Sequence, residues 1–112
     1  MELKNKQSLS LRDKVILITG ASRGIGAATA TLAAQEGAKV VANYNKNKRG
    51  AEKVVQLIKN SGSEAIAIQA DVANREQSKH MVDEIIEKWG RIDVLINNAG
   101  VLAYKDFDET SP

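Results

Sequence analysis

The chain has 112 residues, of which 43% are hydrophobic and 27% charged, with a net charge of +2 at pH 7. That length bounds it to one domain at most, and the hydrophobic share is that of a folded globular chain rather than a disordered one. The small net charge argues against a nucleic acid or an anionic membrane as partner, and the lack of cysteine excludes disulfides and thiolate metal sites.

Residues 1–12 read as a polar leader without the apolar core of a signal peptide. No apolar run approaches the roughly 20 residues of a membrane span. A cytoplasmic protein is the expectation. The first strand falls at about Lys14–Thr19 and carries Val15-Ile16-Leu17-Ile18. It breaks at Gly20-Ala21-Ser22-Arg23-Gly24-Ile25-Gly26, and helical periodicity then runs from Gly24 to Glu36, where Gly37 ends it. A glycine string alone can mark a flexible turn. Between a buried strand and a helix, it is how an open α/β sheet takes a dinucleotide. Gly20 permits the sharp turn, Gly24 lets the backbone approach a pyrophosphate, and Gly26 lets helix pack closely on strand. The helix N-terminus then offers free N–H groups and a positive dipole end to the phosphates.

A second strand, about Ala38–Asn43, follows at βαβ distance. Helix two, about Arg49–Asn60, places Ala51, Val54, Val55 and Ile58 on one face and stops near Gly62. Strand three is Glu64–Ala70, in which Ala65, Ala67 and Gln69 alternate with Ile66 and Ile68. Helix three begins with Asn74 as N-cap and Gln77 three residues on, a variant of the capping box. Its expected buried stripe is Met81, Val82, Ile85, Ile86 and Trp89, with Gly90 after it. His80 lies off that stripe and reads as solvated; it is the single histidine, so no metal cluster forms around it. Strand four is Asp93–Asn98, leading into Ala99-Gly100. About four strands alternating with three helices predict an α/β fold: a partial Rossmann-type doubly wound parallel sheet with right-handed crossovers.

Three features together resemble the short-chain dehydrogenase/reductase family, in its compact branch. They are Thr19-Gly20-x-x-x-Gly24-x-Gly26, Asp71-Val72 directly after strand three, and Asn97-Asn98-Ala99-Gly100 at the end of strand four. Within the family the run resembles 3-oxoacyl-carrier-protein reductases and bacterial glucose dehydrogenases, which these motifs do not separate. The resemblance implies a coenzyme site made by Gly20, Ser22, Arg23, Gly24, Ile25 and Gly26, with the Ile25 N–H offered to a phosphate. It implies Asp71 as an adenine contact beside Val72, with Asn98, Ala99 and Gly100 along the adenosine ribose. Asp71 also reads more simply as a negative charge at the N-terminus of helix three, and Asn97 as a tie between strand four and its neighbour.

Charge bears on which coenzyme. Sites for NAD usually place Asp or Glu at the end of strand two, to hold the ribose 2′-hydroxyl. Here Asn43 takes that position, which would not repel a 2′-phosphate; Arg23 lies in the glycine turn, and Lys46, Lys48 and Arg49 follow strand two. NADP(H) is therefore expected over NAD(H), against the simpler reading of a solvated basic loop.

The family's chemistry, as the resemblance implies, uses Tyr-x-x-x-Lys on one helical face with a Ser nearby, moving a proton while hydride transfers at the nicotinamide. The formal match Tyr44-Asn45-Lys46-Asn47-Lys48 directly follows strand two, on the adenosine side, and is rejected as the catalytic pair. Tyr104 has Asp108 four residues on instead of lysine. No catalytic residue is assigned. Residues 13–112 are accordingly expected to be the N-terminal half of an NAD(P)-binding Rossmann domain, truncated before the catalytic half. The expected function is a share in an NADP(H)-dependent oxidoreductase, with this chain inactive alone. The alternatives are a non-catalytic NADP(H)-binding module or a non-functional remnant. Strand four, an exposed apolar edge without a further neighbour, is expected to mediate self-association.

Overall fold

Apolar strands and amphipathic helices alternate as β1 (Val15–Thr19), α1 (Gly24–Gln35), β2 (Lys39–Tyr44), α2 (Lys48–Asn60), β3 (Ala65–Gln69), α3 (Arg75–Trp89) and β4 (Val94–Asn97). The structure, a computed structural model, describes residues 10–98. The expected contributions of Ala99 and Gly100 lie outside the described residues. All strand pairs are parallel and the order is β3-β2-β1-β4. The chain winds outward from β1 to β3, then returns to the other side of β1 for β4. The direction of winding therefore reverses between β1 and β4, where open α/β sheets leave a crevice at their carboxyl ends.

Every residue of β1 is buried, which is why its sequence is a continuous apolar run rather than an alternating one. Strand parity nevertheless divides the core. Ile16, Ile18, Val40, Ala42 and Ala65 pack with Ala30, Ala33 and Ala34 of α1 and with Val54, Val55 and Ile58 of α2. Val15, Leu17, Val41 and Ile68 pack on the opposite face with Met81 and Ile85 of α3. The result is a three-layered α/β arrangement of Rossmann type.

Local chemistry sets the helix ends. Asn47 caps α2 by accepting the Gly50 N–H at 3.0 Å, and Asn74 caps α3 by accepting the Gln77 N–H at 3.0 Å. The Gln77 side chain does not close a box on the cap residue; it accepts the Asp71 N–H at 2.8 Å and so fastens α3 to the loop after β3. The expected stripe of α3 needs one correction. Ile86 is 43% exposed, because the face that meets the sheet is set by Met81, Val82 and Ile85, and Ile86 lies a further 100° or so around the helix. Trp89 is half-buried against the same cluster.

At the amino end of the sheet, the Asp93 N–H donates to the Val15 carbonyl at 2.8 Å and the Val15 N–H donates to Asp93 Oδ2 at 2.8 Å. Arg91 donates to Asp93 Oδ1 from Nε at 3.0 Å and Nη2 at 2.6 Å. The Arg91 hydrogen bonds, followed by the Val15 N–H, hold the Asp93 carboxyl below the usual carboxylate range. Among the described residues, no helix is long and apolar enough to cross a membrane.

Candidate coenzyme site

Strand β1 ends at Thr19 and hands the chain to the glycine turn. Gly20 and Gly24 both have φ of +63°, a conformation that a Cβ would strain. Gly26 is required by closeness instead. A Cβ there would collide with the Gly20 carbonyl oxygen and lie 2.8 Å from Asn98 Nδ2 and 3.0 Å from Ala21 Cα. At Gly24 a Cβ would meet nothing within 4 Å, so the turn presents open space on that side. The N-cap of α1 is Arg23, with extended backbone and no side-chain cap bond. The first N–H groups of α1 are thus left to a group outside the helix.

Two side chains fix the turn from opposite sides. Asn43, 1% exposed, accepts the Gly20 N–H on Oδ1 at 3.3 Å and donates from Nδ2 to the Ile68 carbonyl at 3.3 Å and the Ala70 carbonyl at 3.1 Å. It ties together the carboxyl ends of β1, β2 and β3. With its amide spent inward, Asn43 bears on the cleft through the backbone it holds. On the other side, the Thr19 hydroxyl donates to Asn97 Oδ1 at 2.9 Å and accepts the Asn98 N–H at 2.9 Å. Asn98 Nδ2 donates to the Gly20 carbonyl at 3.2 Å. Asn97 has the structural role of linking β4 to β1.

Gly20, Asn43, Asp71 and Val72 come together with Asn45, Ala70 and Ala73 around a cleft of about 270 Å³ at the carboxyl ends of β1, β2 and β3. Asp71 accepts the Ala73 N–H on Oδ1 at 3.0 Å, which shapes the turn into α3. Val72 is buried among the residues packed on α3. Ser22, Arg23, Gly24 and Ile25 stand at the head of α1, where Ile25 is 77% exposed. Arg23, Lys46, Lys48 and Arg49 are all exposed, and none has an ion-pair partner among the described residues. Asn45, Ala70 and Ala73 were not anticipated from the sequence; their positions flanking the end of β2 and Asp71-Val72 were the available signal. Tyr44 is the buried last residue of β2 and Lys48 the first of α2, so that pair does not share a helix.

A parallel sheet whose winding reverses beside a glycine turn, with a cleft at its carboxyl ends, defines the Rossmann-type class of α/β domains. The family model described as short chain dehydrogenase matches residues 14–112, and the chain belongs to that family. It is 46% identical over 101 residues to the short-chain dehydrogenase/reductase GME11373 of Pestalotiopsis microspora, covering 90% of this chain and 38% of that one. It is 49% identical over 92 residues to a 3-oxoacyl-[acyl-carrier-protein] reductase of Synechocystis, covering 82% and 37%. A short chain dehydrogenase of Burkholderia cenocepacia, solved in complex with NADP, matches with a TM-score of 0.77 at 46% identity, over 81% of this chain and 37% of that one. The chain spans about two fifths of the length of the curated relatives it matches.

Proposed function

We propose that this chain supplies the coenzyme-binding half of an NADP(H)-dependent oxidoreductase acting between a carbonyl and an alcohol. The observation that carries the reading is the N-terminus of α1, which has no side-chain cap and opens onto empty space at Gly24 beside Arg23, a cation without an ion-pair partner among the described residues. The donor set fits a dinucleotide: backbone N–H groups for a pyrophosphate, a carboxylate at Asp71 for an exocyclic amine, and exposed cations for a 2′-phosphate. The bound coenzyme would supply the hydride. The residues here do the holding. Gly24 and the Ile25 N–H receive the pyrophosphate, Asp71 and Val72 line the adenine cleft, and Asn98, with Ala99 and Gly100 after it, borders the ribose. Arg23 takes the 2′-phosphate with help from the basic loop after β2, and neither Asn43 nor Tyr44 at the end of β2 carries a charge against it. NADP in the Burkholderia relative supports this choice over NAD.

Turnover needs a proton relay, and the Tyr-x-x-x-Lys pattern occurs only at Tyr44–Lys48, which runs from the last residue of β2 to the first of α2. That observation favours, for the chain by itself, a binding module without activity. We further propose a cytoplasmic setting and self-association through β4, which has one sheet neighbour among the described residues.

The test is a titration of NADPH and NADH into the purified chain, followed by nicotinamide fluorescence and thermal midpoint. NADPH is expected to bind at least about tenfold tighter, and Arg23→Ala to abolish most of that margin. Equal affinity for the two coenzymes refutes the preference, and no binding of either refutes the half-site.

A further inference from the structure

We infer that Gln69 and Gly50 are positioning residues for coenzyme discrimination: they hold residues 45–49, the β2–α2 loop and the start of α2, against the glycine turn without themselves touching the coenzyme. This inference rests on the NADP(H) reading of the site. Residues 45–47 join β2 to α2 and carry Lys46, and the first turn of α2 adds Lys48 and Arg49. One end is held from β3. Gln69, the last residue of that strand, sits in register with Tyr44 and donates from Nε2 to the Asn45 carbonyl at 3.1 Å and toward Asn45 Oδ1 at 3.4 Å. The Ala70 N–H donates to the Tyr44 carbonyl at 2.9 Å and extends the pairing into the loop. The loop closes on itself where the Lys48 N–H donates to the Lys46 carbonyl at 3.1 Å.

The other end is held by the lack of a side chain. A Cβ on Gly50 would collide with the carbonyl oxygen of Ser22 and lie 2.6 Å from Asn47 Nδ2. The first turn of α2 therefore rests directly on the backbone of the glycine turn, next to Arg23. Glycine within a helix is unfavourable by on the order of 1 kcal/mol against alanine, and intrinsic propensity gives no reason for one at position 50. Close approach gives that reason. Asn47, which caps α2 through the same Gly50 N–H, is fixed by the same contact.

A 2′-phosphate and a 2′-hydroxyl differ by nearly two charges at one point, so telling them apart depends on where the cations of this loop are held. Adenine and pyrophosphate are met elsewhere, by the Asp71 turn and by the head of α1. Loosening the loop should thus weaken one class of ligand selectively.

The experiment titrates 2′,5′-ADP and 5′-AMP, which differ only by the 2′-phosphate, calorimetrically into the chain and into Gln69→Met, Gly50→Ala and Arg23→Ala. Gln69 is exposed, and methionine keeps its length while removing the donor, so that variant tests the idea even where Gly50→Ala unfolds. The wild-type chain is expected to prefer 2′,5′-ADP by at least about tenfold, and Gln69→Met and Gly50→Ala each to cut that ratio by about 3- to 10-fold while 5′-AMP affinity stays within about twofold. Variants that keep the wild-type ratio, or weaken both ligands in parallel, overturn the inference while a response to Arg23→Ala leaves the NADP(H) reading standing. A wild-type chain that does not distinguish the ligands overturns both.

Discussion

Replacing Asn43 with alanine should unfasten three strands at once. The side chain is 1% exposed, and its removal strips partners from the Gly20 N–H and from the Ile68 and Ala70 carbonyls. A buried polar group left unpaired costs about 1–3 kcal/mol, and separations of 3.1–3.3 Å put each of these at the low end. The sum is about 3 kcal/mol, a large share of the roughly 5–15 kcal/mol that holds an ordinary domain together. For a domain of this size the thermal midpoint should fall on the order of 12–24 °C. Urea unfolding followed through the single tryptophan, Trp89, gives the direct measurement. Asn43→Asp sharpens the test, because a carboxylate can still accept the Gly20 N–H but cannot donate to the two carbonyls. Burial should raise the pKa of the introduced group, so its protonated form is favoured in the folded state. The variant's stability is then greatest below the ordinary carboxylate range and is lost as pH rises through the raised value. An Asn43→Ala deficit under about 1 kcal/mol, or a pH-independent Asn43→Asp, refutes the account of Asn43 as the fastener of this turn.

Gly26→Ala drives a methyl group into the Gly20 carbonyl, a backbone atom that cannot swing aside, and should destabilise the chain by about 1–3 kcal/mol and abolish coenzyme binding; unchanged binding by fluorescence titration contradicts the tight packing of α1 on β1. Thr19→Val keeps the side-chain shape but removes the link to Asn97 and Asn98, at about 1–3 kcal/mol, and hydrogen exchange at the Asn98 amide should accelerate. Asp93→Asn tests the amino end of the sheet. Because Asp93 has a lowered pKa, its contribution is present above the ordinary carboxylate range and is lost as pH falls through the depressed value. Wild-type and variant urea midpoints should therefore differ near neutrality and converge in strong acid; a constant difference removes Asp93 from the acid response.

The alternation of elements was legible because three apolar runs and two helical stripes carry it, and every strand and helix falls within about a residue or two of its expected bounds. The turn of Gly20, Gly24 and Gly26 was legible for a related reason: glycine is needed where φ is positive or where backbones touch, and both conditions occur there. Asn97 was readable as a tie between strands, and the tie exists. What the sequence hid follows from burial on both faces. A strand such as β2, buried throughout after Lys39, does not advertise which of its side chains points to which layer. Asn43 was therefore read as the residue at the end of the strand, whereas β2 continues to Tyr44 and Asn43 turns inward. Gln69 and Gly50 were silent for another reason: each acts on a segment distant in sequence, Gln69 across 24 residues to Asn45. The one local sign was a glycine inside the first turn of a helix.

The winding order of the sheet also dictates a timetable. The Asn43 hub joins residues 23 apart to Gly20 and 25 apart to Ile68, whereas the Thr19–Asn97 link spans 78. Closing the longer loop costs about 1 kcal/mol more in chain entropy, repaid by the short β4 and the Asp93–Val15 hydrogen bonds beside it. β1, β2 and β3 with their two helices are therefore expected to assemble as the early unit, with β4 docking onto a sheet that already exists; pulsed hydrogen exchange should show β1–β3 amides protected before those of β4. Synthesis runs in the same direction, since everything the early unit needs leaves the ribosome before Val94. The cleft lined by Gly20, Asn43 and Asp71 should thus be in place first, and the hold of Asn98 on the Gly20 carbonyl should form last.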